Sequence, residues 1–193
     1  RLLESFNRGI EKVYLYEFYV SPLIPPNQLD AYFGLVRQDG SVKPVFTAVK
    51  NLISLTKDQR SDFETQILSY QIESSANYKK TLLQKSNGSF LLILWNEVPD
   101  SSLSGNPVPA TITFNNNKRF DVKIINPMVS TQTVNEQKTA NQLKFSLTDQ
   151  PLVLELKQAV DIGITTPEEE ADTGPFKIPI TDRDLSDLLN RRN

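Results

Sequence analysis

Between residues 62 and 157 the sequence breaks into short apolar stretches separated by turn signals, and this pattern constrains the fold more than any other feature. The turn signals include Asn87-Gly88 and Ser104-Gly105-Asn106, which are typical interruptions between strands. We predict eight strands, at residues 63–72, 79–85, 90–97, 110–114, 120–125, 131–135, 143–147 and 152–156. Short strands at this spacing, with almost no helical periodicity, predict a mainly β chain built around an antiparallel β-sandwich of about eight strands.

The most apolar of these stretches covers residues 90–95 and is apolar on both of its faces. We therefore expect it to be the central strand of the sandwich. Trp95, the only tryptophan, lies in this stretch, and we expect its ring to pack in the core rather than to stack on a sugar. Asn87-Gly88-Ser89 matches a glycosylation acceptor pattern, but Asn-Gly between two strands first indicates a hairpin turn.

The pattern of residues 1–57 is different. Leu2, Leu3 and Phe6 have helical spacing, and the next stretch, residues 13–20, is rich in aromatic and β-branched residues and apolar on both faces. A strand of this kind is typical of a parallel sheet covered by helices. A loop with three prolines follows, and a helix with an apolar stripe is predicted to begin near Pro44. We interpret residues 1–57 as one terminal β/α unit that precedes the sandwich at residues 62–157.

Residues 158–193 are predicted to be a tail of linker and short helix. The stretch 167–174 is acidic and lacks large apolar residues, as in a linker. The segment from Asp182 to Asn190 has a Thr at its N-terminal boundary and leucines at helical spacing. An isolated helix this short is marginal in water, so we expect it to dock on this chain or on a partner.

Composition excludes several kinds of chemistry. The chain contains no histidine and no cysteine, which excludes thiol nucleophiles, Ser-His-Asp triads and the common zinc sites. We predict no cofactor, and the acidic residues near the C-terminus lack the ligand spacing of a calcium loop. Lys plus Arg is 21 and Asp plus Glu is 23, a balance that does not favour binding to nucleic acid or to an anionic membrane. No apolar run is long enough to span a bilayer.

An ordered series of residues in the first part of the chain resembles the closing unit of the cellulase-like clan of glycoside hydrolases. The series is Tyr14-Leu15-Tyr16-Glu17-Phe18, Phe33-Gly34-Leu35, Asp39-Gly40, Lys43-Pro44, Ala48 and Asn51-Leu52. The resemblance extends from residue 1 to about residue 157 and does not include the tail. It implies the last β/α unit of a TIM-type barrel, followed by a C-terminal β-sandwich. Most of these residues carry no reactive group, and we expect them to support the fold.

The resemblance also implies a function. Glycoside hydrolysis requires two carboxyl groups, and in this clan they project from the fourth and seventh barrel strands, which this chain does not include. We therefore predict no catalytic residue here, and we expect a C-terminal fragment or subunit of a secreted carbohydrate-active enzyme that closes the barrel and is inactive alone. The start at Arg1, without an initiator Met or signal peptide, agrees with a fragment or a processed product. Residues 1–57 would then contact a partner chain or a missing N-terminal barrel, and carbohydrate would bind to the complete barrel.

Three residues are candidates for contact with substrate. Glu17 lies near the C-terminal end of the predicted strand, which is the end that faces the active site of a barrel. Tyr16 and Tyr19 beside it would offer rings for stacking on a sugar. The alternative is that Glu17 pairs with an Arg of a neighbouring strand and only stabilises the barrel.

Two other functions remain open. The chain could be a non-catalytic structural or binding module of a larger assembly, held there by the sandwich and the tail helix. A full-length sequence without the two strand-end acids would favour that function. A free-standing carbohydrate-binding sandwich is less favoured, since no strand shows a row of aromatic residues on an exposed face.

Overall fold

The computed structural model describes residues 2–25, 27–58, 60, 62–99 and 105–159, and in this part the chain is mainly β. Its helical elements are α1 (Leu2–Asn7), a 3-10 helix (Leu29–Tyr32) and α2 (Pro44–Thr56). Its strands are β1 (Tyr70–Ser74), β2 (Tyr78–Gln84), β3 (Phe90–Asn96), β4 (Val108–Phe114), β5 (Phe120–Ile125), β6 (Thr133–Ala140), β7 (Gln142–Leu147) and β8 (Leu152–Gln158). The predicted linker and the helix from Asp182 to Asn190 lie outside the described residues.

The eight strands form two antiparallel sheets, so the predicted fold class is confirmed. One sheet has the order β1-β4-β7, and the other has the order β2-β3-β8-β5-β6. All eight predicted strands are found, and all but β5 have shifted ends. The first begins at Tyr70 rather than at residue 63, and β6 extends to Ala140 rather than to residue 135. Almost every residue of β6 is exposed, so no alternation of apolar and polar residues indicated its length.

The main core lies between the two sheets. Alternate residues of the strands point into it, as the two-residue period of a strand requires. Its buried members are Leu68, Phe90, Leu92, Leu94, Ala110, Ile112, Phe114, Phe120, Val122, Leu143, Leu147, Leu154 and Leu156. The rings of Phe114 and Phe120 lie 4.5 Å apart between their centroids. Each large side chain buried in this way contributes about 1.5–3 kcal/mol to the free energy of unfolding.

A second, smaller core lies on the outer face of the five-stranded sheet. Its buried members are Leu91, Ile93, Ile125 and Val153, and the residues packed against them include Leu3 of α1 and Leu52 and Leu55 of α2. Strand β3 is therefore covered on both faces, as its continuous apolar sequence predicted. The cover on the outer face comes from the N-terminal helices.

Hydrogen bonds fix the N-terminal helices to the sandwich. The Asn7 side chain donates from Nδ2 to the carbonyl of Lys80 over 2.8 Å and accepts at Oδ1 from the hydroxyl of Thr81 over 3.0 Å. Asn51 donates from Nδ2 to the carbonyl of Pro127 over 2.8 Å. Asn7 and Asn51 thus anchor α1 and α2 to different parts of the sandwich.

The predicted strand at residues 13–20, buried on both faces, is not found among the described residues. This segment makes only an isolated parallel bridge between Tyr19 and Val36, and of its residues Val20 alone is buried. A strand needs a neighbouring strand to satisfy its backbone groups, and no described strand lies beside residues 13–18. The described residues therefore contain the helix of the predicted β/α unit, α2, but not its strand.

The predicted position of Trp95 is also wrong. Its ring is only partly buried and belongs to neither core cluster, although the five residues before it in β3 are all buried. Alternation along β3 places Trp95 on the same face as Leu91 and Ile93, the outer face of the five-stranded sheet, and the second core on that face does not include it. Asn87-Gly88, in contrast, forms the predicted hairpin turn between β2 and β3, with Gly88 at a φ of 83°.

Candidate functional site

The loop after residue 20 holds residues 17–20 in place through backbone hydrogen bonds. The N–H of Val36 donates to the carbonyl of Phe18 over 2.9 Å, and the N–H of Val20 donates to the carbonyl of Val36 over 3.0 Å. The N–H of Leu35 lies 3.1 Å from the carbonyl of Glu17. These bonds fix the C-terminal half of the segment and leave its first residues without such support.

Gly34 allows the loop to approach the segment this closely. Its φ is 76°, and an added Cβ would lie 3.0 Å from Cγ2 of Val20 and 3.2 Å from the carbonyl oxygen of Glu17. Both the positive φ and the short contacts disfavour any side chain at this position. The glycine in Phe33-Gly34-Leu35 therefore allows the loop to pack closely against residues 17–20.

Lys43 and Asp39, which belong to the series that resembles the glycoside hydrolase clan, support the loop with their side chains. The ammonium group of Lys43 donates to the carbonyls of Tyr32 and Phe33, the first over 3.0 Å. Asp39 accepts at Oδ1 from the N–H of Ser41 over 2.9 Å, and hydrogen bonds from Ser41 are the main reason that the pKa of Asp39 lies below its ordinary value. These groups are used inside the loop, which agrees with a scaffold role for the series.

Large apolar side chains near this loop are exposed. Tyr14 is 88%, Tyr16 is 73% and Phe18 is 64% exposed. Together with Tyr32 and Phe33 they form what we name the aromatic surface. The rings of Tyr16 and Phe33 meet edge to face at 6.2 Å. An exposed apolar patch of this kind marks a site of interaction on a protein surface.

The backbone of residues 13–16 adds a second unusual feature to the aromatic surface. Within the described part of the chain, no hydrogen bond joins the N–H or C=O groups of these residues to another protein group. Backbone groups of this kind are strong donors and acceptors that require partners when they are covered. Residues 13–16 thus present apolar side chains together with an unpaired backbone.

Glu17 lies at the end of this unpaired stretch. Its side chain is partly buried, and Oε1 is fully buried and has no hydrogen-bond partner among the described residues. An acceptor left in this state costs about 1–3 kcal/mol. None of the described Lys or Arg side chains forms an ion pair with Glu17. Its carboxyl group therefore has no donor among the residues that the structure describes.

The three predicted substrate residues lie on one short segment, but the two tyrosines have different neighbours. The hydroxyl of Tyr19 donates to the carbonyl of Gln38 over 2.8 Å, so this side chain anchors the loop. Tyr16 contacts Phe33 and keeps most of its ring in solvent. Of the two rings, Tyr16 therefore has the larger free face for a ligand. Glu17, which lies between the two tyrosines in sequence, has a buried oxygen without a partner in the described part of the chain.

A charged groove on the outer face of the five-stranded sheet was not predicted. It encloses about 280 Å³ and is lined by Asn87, Ser89, Asp121, Lys123, Glu136, Lys138, Glu155 and Lys157. The sequence signal is an acid followed two residues later by a lysine, which occurs once on each of β5, β6 and β8. In the sheet the lysines of one strand lie opposite acids of the next, as in the pairs Asp121–Lys157 and Lys123–Glu155.

Lys138, Glu136 and Asp121 form an ion-pair network in this groove. Lys138 lies 2.7 Å from Glu136 and 3.6 Å from Asp121, and its hydrogen bond to Glu136 is the main reason that its pKa is raised. The pKa of Asp121 is lowered, chiefly because the N–H of Thr139 donates to it over 2.9 Å. Three lysines balance three acids, so the groove has no net charge with which to attract an ion.

No family model matches this chain, and no curated protein matches it significantly. Among the described residues, no helix has the length and the apolar character needed to cross a membrane. The same part of the chain holds no cluster of three or more His, Cys, Asp or Glu side chains able to bind a metal ion. What the structure establishes is therefore a two-sheet, mainly β chain that carries an exposed aromatic surface near its N-terminus.

Proposed function

We propose that this chain is the C-terminal part of a carbohydrate-active glycoside hydrolase, where it closes and braces the catalytic barrel. It is inactive alone, because the two catalytic carboxyl groups belong to barrel strands that it does not contain. The proposal rests on the resemblance of residues 14–52 to the closing unit of the cellulase-like clan, together with the surface that these residues form.

The observation that carries the proposal is the state of residues 13–18. They form an apolar stretch that is exposed, while the loop from Gly34 to Lys43 holds the following residues in place. A segment with this composition is expected inside a parallel sheet. Its exposure is explained if the rest of that sheet belongs to the barrel, which would cover both faces.

The bracing role is supported by the contacts of α2. Asn51 and Leu52 belong to the series that resembles the clan, and both face the sandwich, through the bond to Pro127 and through the second core. A barrel that packs on residues 13–18 would therefore be joined to the five-stranded sheet through α2. In this arrangement the sandwich limits the movement of the closing unit.

Contact with the sugar is assigned to Glu17, Tyr16 and Tyr19. The exposed ring of Tyr16 offers a stacking face, and Glu17 offers acceptors for sugar hydroxyl groups. Tyr19 keeps its ring beside Glu17 while its hydroxyl is held by Gln38. Secretion belongs to this proposal as well, since enzymes of this kind act on extracellular polysaccharides.

The composition of the native particle tests this function. The chain is tagged and isolated from its source, and the particle is analysed by intact mass, peptide sequencing and glycosidase assays on a panel of polysaccharides. We expect an upstream stretch or a second polypeptide with two barrel-strand carboxyl groups, and hydrolysis that is lost when either is changed to the amide. A lone 21.9 kDa species, or an assembly without those acids, would replace this function by that of a non-catalytic structural or binding module.

The three substrate residues need their own control in the active particle. We expect Glu17→Gln and Tyr16→Ala to raise KM, since both remove contacts to the sugar. Phe6→Ala, at an exposed aromatic position on α1 outside the aromatic surface, serves as the matched control. Unchanged KM in both variants would remove residues 16 and 17 from the sugar site and leave the closing role intact.

A further inference from the structure

We infer that the partner is held by strand addition: an extended polypeptide segment pairs with the backbone of residues 13–16 and places a Lys or Arg side chain against Glu17. This inference rests on the proposed function and specifies how the barrel is bound. It also specifies the chemistry of the occupant, which is a strand with apolar neighbours rather than a sugar, a lipid or a second copy of this chain.

The unpaired backbone is the first argument for a strand. Residues 13–16 expose Tyr14, Leu15 and Tyr16, and within the described residues their N–H and C=O groups have no protein partner. An apolar ligand that covered these side chains alone would also remove water from the backbone groups and leave them unsatisfied. An added strand covers the side chains and satisfies the backbone at the same time.

The segment is already prepared for such pairing at its C-terminal end. The hydrogen bonds from Val36 to Phe18 and from Val20 to Val36 form a short parallel bridge next to residues 13–16. Gly34 permits the close approach on which this bridge depends. Because residues 17–20 are fixed, less conformational entropy is lost when a strand adds to the residues before them.

Charge complementarity argues for the cation. Glu17 is the only acid between residues 13 and 20, and no ion pair with a described Lys or Arg neutralises it. A surface that covers it must supply a donor, since a covered carboxylate without one is strongly disfavoured. A carboxylate accepts several hydrogen bonds, so a donor from the partner leaves room for a sugar hydroxyl.

Hydrogen exchange on the native particle tests the inference. Backbone amide exchange is measured by mass spectrometry for the peptide that covers residues 13–18, in the isolated 193-residue chain and in the particle. We expect fast exchange in the isolated chain and exchange slowed by about a hundred-fold or more in the particle. Peptides from β3 should be protected equally in both samples, because this strand is already paired on both sides.

A pair of variants tests the backbone separately from the side chain. Tyr14→Pro removes both the ring and the N–H, whereas Tyr14→Ala removes only the ring, and neither change breaks an intrachain hydrogen bond of Tyr14. We expect Tyr14→Pro to weaken the particle about ten-fold more than Tyr14→Ala, as loss of a strand hydrogen bond predicts. Glu17→Lys should weaken it more than Glu17→Gln, because a second cation would face the first.

The outcomes separate this inference from the proposed function. Protection of residues 13–18 by a partner strand in a particle without catalytic acids would keep the inference and end the hydrolase function. Unprotected amides in the particle, whatever its composition, would overturn the inference and leave the hydrolase function standing if the acids are present. Protection that appears only in a dimer of this chain, or only after a polysaccharide is added, would also overturn it.

Discussion

The sandwich and the N-terminal segment use apolar residues in opposite ways. In the sandwich, strands from both sheets bury their inward side chains against one another, and Phe120 and Leu92 are almost fully buried. In residues 13–19 a similar density of aromatic and aliphatic side chains faces solvent, with Tyr14 as the extreme case. Within the described residues the sandwich finds the surfaces that bury its apolar side chains, whereas the N-terminal segment does not.

The difference shows what determines whether an apolar stretch becomes a strand. β3 and residues 13–20 are both apolar at nearly every position. β3 forms a strand because β2 and β8 pair with it on either side, and because the N-terminal helices cover its outer face. Residues 13–18 have neither neighbour among the described residues. Composition alone therefore indicates a need for burial, and the partner strands decide whether that need is met.

The largest expected effect comes from truncating one aromatic ring in each region. Phe120→Ala removes a ring from the main core that packs on Phe114, and we expect a loss of about 3–5 kcal/mol in the free energy of unfolding. Phe18→Ala, at an exposed position, should cost about 1 kcal/mol or less in the isolated chain. Urea unfolding followed by circular dichroism measures both values.

The same pair sharpens the comparison when a partner is present. If the aromatic surface is covered in the native particle, Phe18→Ala should weaken the particle while it leaves the isolated chain almost unchanged. Equal losses for Phe120→Ala and Phe18→Ala in the isolated chain would contradict the contrast between the two regions. Such a result would mean that Phe18 is buried in solution.

A smaller effect is expected at the glycines of the N-terminal loop. Gly34→Ala introduces a Cβ at a positive φ and against Val20, whereas Gly40→Ala introduces one at a φ of 81° with no atom within 4 Å. We expect about 1–2 kcal/mol for Gly40→Ala from backbone strain alone, and a larger cost for Gly34→Ala. Urea unfolding measures the loss in the free energy of unfolding for both variants. Equal losses would show that the loop moves away from residues 17–20 to make room for the added methyl group.

The sandwich was predictable from sequence because its signals are local. Turn residues such as Asn87-Gly88 separate strands whose inward residues alternate, and β5 was located to the residue at both ends. The failures were at positions where neighbours decide the outcome. Trp95 continues an apolar run, but it lies on the outer face of the sheet and outside the second core, and no local pattern shows how far the N-terminal helices cover that face.

The candidate site was predictable only in part, for a related reason. Glu17 stood out as an acid in an apolar stretch, and its buried oxygen, which has no partner among the described residues, agrees with that signal. The bond from Tyr19 to Gln38 and the exposure of Tyr14 depend on how the loop folds back, which spacing does not specify. The charged groove was missed because its acid-and-lysine pattern lies on β5, β6 and β8, which are neighbours in the sheet although β8 is separated from the other two in sequence.

The smallest expected effect is a difference in how acid acts on the two regions. The pKa of Asp39 is lowered from its ordinary value of 3.8 by hydrogen bonds from Ser41. The ionised carboxylate therefore stabilises the loop fully at a pH above 3.8, and this stabilisation is lost as the pH falls through the lowered pKa. We expect exchange of the Ser41 amide, followed by NMR, to accelerate in this acid range, and Asp39→Asn to remove the pH dependence.

Asp121 provides the matched control in the sandwich. Its pKa is lowered chiefly by the hydrogen bond from the N–H of Thr139, so its ionised form also stabilises the fold and this contribution is also lost in acid. Asp121→Asn should change the acid response of the Thr139 amide and leave that of Ser41 as it is. If either substitution altered both amides, the loop and the sandwich would open together in acid. The N-terminal segment would then share the stability of the sandwich, and its exposed aromatic side chains would be the one respect in which the two regions differ.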